Sequence, residues 1–202
     1  MGKIGLIGCI GLVVVLAILG VWVAGQYNGL VSADQAVQAQ WGQVEAAYQR
    51  RADLIPNLVA SVKGAANFEQ STLTAVTEAR AKVGQISAGA AQNIANNPEA
   101  FKNFQQAQDG LSSALSRLMV VVEKYPELKA NQNFLNLQSQ LESTENGIAN
   151  ERRVFNEKAQ AFNTKRNSFP TNTIAGFFGD RFKEKPYFKA AEGSDQAPKV
   201  QF

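Results

Sequence analysis

The residues of this chain that could do chemistry are charged side chains on two long amphipathic stretches. Glu45, Arg50 and Arg51 lie on one, and Glu142, Glu145, Arg152 and Arg153 on the other. Two carboxylates brought together can work as general acid and base. Such hydrolysis also needs a group that holds or polarises the substrate, and neither a metal-binding cluster nor a phosphate-cradling glycine loop accompanies these acids. The 202 residues include no histidine and a single cysteine, Cys9. Ser-His-Asp and Cys-His nucleophile sets are therefore excluded, along with the commonest general base and metal ligand. A disulfide framework is excluded as well, as are zinc, haem and iron–sulfur ligation by the chain's own side chains. Composition argues against an enzyme, and no cofactor or metal is expected.

The same charges have a structural use. If the two stretches pair as antiparallel helices, with residue 28 facing about 168 and residue 63 about 131, Arg50 and Arg51 fall opposite Glu145 and Thr144, with Glu142 one turn away. Glu45 then comes opposite Asn150, within reach of Arg152 and Arg153. Interhelical ion pairs that fix register are the expected role. The run Asp53-Leu54-Ile55-Pro56-Asn57-Leu58 reads in two ways. Leu54, Ile55 and Leu58 suit a core, whereas Asp53, Pro56 and Asn57 suit a docking surface on a kinked helix.

A third group lies near the C-terminus. Residues 169–189 hold Phe169, Phe177, Phe178, Phe182, Tyr187 and Phe188 among Arg181, Lys183, Lys185 and Lys189, with only Asp180 and Glu184 acidic. Interleaved aromatic and basic residues suit contact with anionic lipid, through Phe177, Phe178, Arg181, Phe182, Lys183 and Lys185. The competing reading is that these aromatics cap the open end of a bundle. Nucleic acid is not an expected partner. Residues 190–202 are small, polar and proline-containing, a flexible tail ending in Phe202, which could add to a partner's sheet edge.

Positioning these groups requires a membrane segment and four helices. Residues 4–25 carry no charge and span about 33 Å as a helix, enough for a bilayer core. The run is too long for a cleaved signal peptide, and it continues well past the lipoprotein-like box Leu6-Ile7-Gly8-Cys9. Lys3 flanks one side and no Lys or Arg follows until Arg50, which puts the N-terminus in the cytoplasm and the rest outside. Gly5, Gly8 and Gly11 make one face smooth enough for helix–helix packing, although glycine is common in membrane helices generally.

Beyond it, Val37, Trp41, Val44, Tyr48, Arg51, Ile55, Leu58 and Val62 form a heptad-like seam over residues 28–63. Pro56 implies a kink near Ala52 rather than a stop. Asn67 and Gln70 form a capping box for a helix over 68–87, and residues 87–97 read as a loop. Asn97-Pro98-Glu99 starts a helix over 98–124, which Tyr125-Pro126 ends. A fourth helix spans 131–168, with Phe134, Leu141, Ile148, Phe155, Ala159 and Phe162 on one face. The fold class is all-α: an N-terminal transmembrane helix (residues 1–25) and an elongated antiparallel four-helix, coiled-coil-like bundle (26–168). A segment at 169–189 follows near the membrane.

Tyr27-Asn28-Gly29-Leu30-Val31, Trp41, and Arg50-Arg51-Ala52-Asp53-Leu54-Ile55-Pro56-Asn57-Leu58-Val59 closely resemble the LemA family. Thr77-Glu78-Ala79-Arg80, residues 123–131, Thr144-Glu145-Asn146 and Phe169-Pro170 extend the likeness. Phe155 stands where that family more often has tyrosine, a departure that matters where the hydroxyl makes a bond. The resemblance implies a bacterial single-pass membrane protein with a helical bundle and no established enzymatic activity. It also implies an association, by gene neighbourhood, with a heat-shock membrane metalloprotease. The expectation is a non-enzymatic, self-associating scaffold or adaptor in the inner membrane, its bundle in the periplasm, with membrane lipid and further copies of itself as partners. The alternative is a regulator of a membrane protease or envelope stress pathway.

Overall fold

A computed structural model describes the backbone of residues 3–64, 69–90 and 94–189, and the side chains of 7, 9–64, 69–87 and 94–189. Among these residues there are helices and no strands. They are α1 (Lys3–Lys63), α2 (Gln70–Ala90), α3 (Pro98–Val122), the short α4 (Pro126–Lys129), α5 (Gln132–Asn167) and α6 (Thr171–Phe177), with 3-10 turns at Ile94–Asn96 and Gly179–Phe182.

The membrane segment and the first bundle helix are one element. α1 runs for 61 residues, about 90 Å at the usual rise. Sequence reading separates a helix at 4–25 from one at 28–63, but nothing between them competes with the helical ladder. Gly25 and Gly29 cost about 1 kcal/mol each relative to alanine, less than the burial of Leu30 and Val37 returns. Across the apolar stretch nothing covers the helix: Val13, Leu16 and Leu19 are exposed, and none of that window is buried.

From Leu30 onward α1 packs antiparallel on α5, and α2 packs on α3. The core has two parts. Nearer the apolar stretch, Val37, Trp41, Val44 and Tyr48 meet Phe101, Phe104, Ile148, Phe155 and Phe162. Farther away, Ile55, Leu58 and Val62 meet Leu73, Val76, Leu111, Leu118, Phe134 and Leu141. Arg51, Gln108 and Thr144 are buried between the two parts.

Capping explains the starts of α3 and α5. Asn97 Oδ1 accepts from Glu99 N and Ala100 N, and Asn131 Oδ1 from Asn133 N and Phe134 N. The proposed Asn67 cap lies outside the described residues. α2 continues past residue 87 to Ala90, because an alanine-rich stretch has high helix propensity despite its small, polar look. The described chain after α5 continues to Lys189 and folds back on the bundle. It forms α6, turns at Gly179 with φ +47°, and returns along α5 as an extended strap over residues 183–189.

Candidate functional site

Three polar arrangements stand out. The first is the layer that divides the core. Arg51 has 1% of its side chain exposed, and its guanidinium donates to Glu145 Oε1 at 2.8 Å, Ser112 Oγ at 2.7 Å and Gln108 Oε1 at 2.5 Å. It lies over the Tyr48 ring, and its Nε has no partner. Burial pushes the Tyr48 phenol up, against the lowering effect of Arg152 and Arg51 nearby. The other charges named from sequence are elsewhere. Arg50 and Glu142 are exposed, Arg153 pairs with Glu157 one turn along its own helix, and Arg152 donates to the Lys189 carbonyl at 2.8 Å. Glu45 is not brought to Arg152 or Arg153, because the strap occupies Arg152 and a local partner is nearer to Arg153.

Pro56 removes the amide that would bond the Ala52 carbonyl. α1 nevertheless continues, and Arg80 Nε from α2 donates to that carbonyl at 3.0 Å. Asp53, Pro56 and Asn57 remain exposed on the outer face, with Asp53 accepting from Gln49 at 2.7 Å.

The second arrangement is a collar at the end of the apolar stretch. Thr171 Oγ1 and Gln26 Oε1 are 3.0 Å apart in a hydrogen bond in which the hydroxyl donates. Tyr27 packs on Phe178 and Phe182 with centroids 4.8 and 5.5 Å away, and Arg181 lies over the Tyr27 ring. Trp22, Phe169 and Phe178 expose much of their rings near this junction, and Phe177 is 85% exposed. Arg181 and Lys183 are also exposed, Lys183 paired with Asp180.

Phe182 and Lys185 do not belong to this surface, a correction to the reading that grouped them with Phe177. The turn at Gly179 sends both inward. Phe182 is fully buried, and Lys185 is held by Asp34 and Asn96 with its ammonium 4.8 Å from the Phe162 ring centroid.

The third arrangement is the strap itself. Asn163 Nδ2 donates to the Lys185 carbonyl and Asn163 Oδ1 accepts from Lys185 N, both at 2.9 Å. Asn156 does the same to Phe188, again at 2.9 Å twice. The Phe188 ring enters a box of Trp41, Phe101 and Phe155, under the Arg152 guanidinium. Gln105 and Arg152 both donate to the Lys189 carbonyl. Phe155 is wholly buried among these rings.

Sequence reading did not find Asn156, Asn163, Gln108 or the Arg80 contact. The available signal was the two asparagines, two helical turns apart, flanking the apolar face of α5. Gly11 has open space around it, the surroundings of Gly5 and Gly8 are not among those described, and Phe202 lies outside the described residues.

A family model described as the LemA family matches residues 40–202. The chain is 28% identical over 184 residues to the magnetosome protein MamQ of Magnetospirillum gryphiswaldense, which covers 84% of this chain and 67% of that protein. The magnetosome protein MamQ 1 of Paramagnetospirillum magneticum gives the same figures. The protein LemA of Metamycoplasma hominis is 26% identical over 151 residues, covering 75% of this chain and 64% of that one. The chain thus spans about two thirds of the length of each relative.

Proposed function

The chain belongs to the LemA family, and from that premise we propose that it is a non-enzymatic, single-pass scaffold or adaptor that holds a helical bundle upright on the bacterial inner membrane and associates with copies of itself. The observation that carries this reading is the unbroken α1, bare along its apolar stretch and buried from Leu30 onward. A continuous helix couples anchor and bundle rigidly, which a scaffold needs and a tethered soluble domain does not.

The collar supports the same reading. Exposed aromatic rings beside Arg181 and Lys183, at the level where the apolar stretch ends, suit the headgroup region of anionic lipid. A structural role also accounts for the buried charges, since Arg51 and Lys185 are both spent on partners within the fold. With Lys3 before the apolar stretch, the N-terminus is cytoplasmic and the bundle periplasmic.

The second reading, an adaptor for a membrane protease, rests on Asp53, Pro56 and Asn57, which present an exposed surface on α1. Light-scattering mass separates the two. A defined oligomer of the detergent-solubilised full chain that dissociates in a chain beginning at Gln26 supports the scaffold. A monomer in both cases overturns self-association.

A further inference from the structure

We propose that α1 and α5 build a site for the phosphate of an anionic phospholipid, with the Lys165 ammonium as its cation and Gly29, Gly25 and Trp22 as the wall along which the lipid lies. The site rests on the membrane-anchored reading above and gives its lipid contact one defined place.

Lys165 lies in the last turn of α5, where a cation suits the helix dipole. Its side chain does not stay there. It crosses to α1 and lies on Gly29, so closely that a Cβ at that position would overlap Nζ and stand 2.9 Å from Cε. Any other residue at 29 would push the ammonium off the helix, so glycine is what lets it reach this place. Half-buried there, the ammonium has no ion pair and no hydrogen bond among the described residues. By contrast, Arg51 and Lys185 are both spent on carboxylates. Lys165 is thus held by packing and left with three donors for an outside acceptor.

Height decides what that acceptor is. The uncharged run ends at Gly25, and Gly29 stands four residues, about 6 Å, farther along the helix. The polar layer on each side of a bilayer core is about 5–7 Å thick, which sets the ammonium at the level of lipid phosphates. Toward the bilayer the same face stays open. Trp22 is seven residues from Gly29, nearly two full turns beneath it, and is 45% exposed. Gly25, between them, has open space around it. A single lipid beside α1 can therefore put its phosphate on Lys165, its glycerol esters against Gly25 and its acyl chains on the Trp22 indole. A zwitterionic headgroup carries its own cation next to the phosphate and an anionic one does not, so the site selects the anionic lipid. Tyr27 and Gly29 lie about 200° apart around α1, which places Arg181, over the Tyr27 ring, on the opposite flank.

The test reads Trp22 in the full-length chain reconstituted into phosphatidylcholine vesicles, with bromine near the top of the acyl chains of either added phosphatidylglycerol or an equal fraction of the phosphatidylcholine. Trp41 stands about 24 Å beyond Gly25 in the bundle core, out of reach, and adds a constant. Phosphatidylglycerol should occupy the site about fivefold better, which corresponds to about 1 kcal/mol for one basic group at an anionic surface. Lys165→Gln should bring that ratio close to one, and Arg181→Gln should leave it in place. Bromines on acyl chains report a lipid, so a site for free phosphate would give equal quenching. Equal quenching by the two lipids overturns the site and leaves the anchor standing. A preference that survives Lys165→Gln, or is lost equally in both variants, overturns it in favour of a diffuse basic collar. No quenching by either lipid removes the anchored reading itself, and the site with it.

Discussion

Replacing the polar layer with apolar side chains separates a stability role from a specificity role. Arg51→Met removes the donor to Glu145, Ser112 and Gln108. Glu145 is 40% exposed and Ser112 half-buried, so both can turn to water at little cost. Gln108 is buried and cannot. A buried amide without a partner costs about 1–3 kcal/mol, and methionine between Tyr48 and Ile55 recovers part of it by joining the two core segments, so the net loss is about 1–2 kcal/mol. At roughly 2–4 °C per kcal/mol for a domain of this size, melting should fall by about 2–8 °C. Glu145→Ala leaves the guanidinium, 1% exposed, without its carboxylate and should cost about 3 kcal/mol, because an uncompensated buried charge remains.

The double variant decides the matter. Arg51→Met with Gln108→Leu removes donor and acceptor together and should restore stability to near the parental value, as replacing both partners of a buried hydrogen bond by apolar groups does. Urea and thermal unfolding followed by circular dichroism in detergent would measure these three variants and Gln108→Leu alone. A double variant as unstable as the two single losses added together would refute the idea that Arg51 and Gln108 act as one unit.

Three further outcomes follow from the same contacts. Burial raises the Tyr48 pKa in the fold, so the folded state holds that proton more tightly than the unfolded chain; its stabilising contribution is complete below about pH 10 and fades as pH rises through the raised value. Tyr48→Phe should flatten that part of the stability curve in alkaline unfolding series, and an unchanged slope would count against it. Arg80→Met should cost about 1–2 kcal/mol through the charge-assisted bond to the Ala52 carbonyl, and much less in a Pro56→Ala background, where the helix supplies its own amide; equal costs in both backgrounds would dissociate Arg80 from the proline. A cysteine placed at Lys129, at the far end of the bundle, should react with a membrane-impermeant maleimide in intact cells, whereas protection until lysis would reverse the orientation.

What the sequence could convey depended on the range of the interaction. Helix seams and caps are local, and Asn97, Asn131 and the seam from Val37 to Val62 were readable because periodicity and capping act within a few residues. The antiparallel register that set Arg50 and Arg51 opposite Glu145 and Thr144 came from matching helix lengths; it lay one residue off the observed Arg51–Glu145 pair, and it misplaced Glu45 because a short-range match does not know that the strap will occupy Arg152. The fusion of anchor and bundle into one helix was hidden by Gly25 and Gly29, whose local cost is outweighed by packing that is only visible in three dimensions. The strap was the least legible part. Lys185 looks like a surface lysine, and nothing nearby in sequence announces Asp34 or Asn96 as its partners. Composition described residues 169–189 correctly as aromatic and basic, yet the positive φ at Gly179 decides which side chains turn inward.

The claim on which the rest depends is that one helix passes from bilayer to bundle core with the collar at the boundary. Single nitroxide labels at successive positions from 18 to 32, and one at Phe177, in vesicles containing anionic lipid, would test it through accessibility to oxygen and to a water-soluble nickel complex. We expect an unbroken helical period across Gly25, a change from lipid to water at Gln26, and Phe177 at headgroup depth. A loss of helical period at Gly25, with Phe177 fully in water, would contradict it.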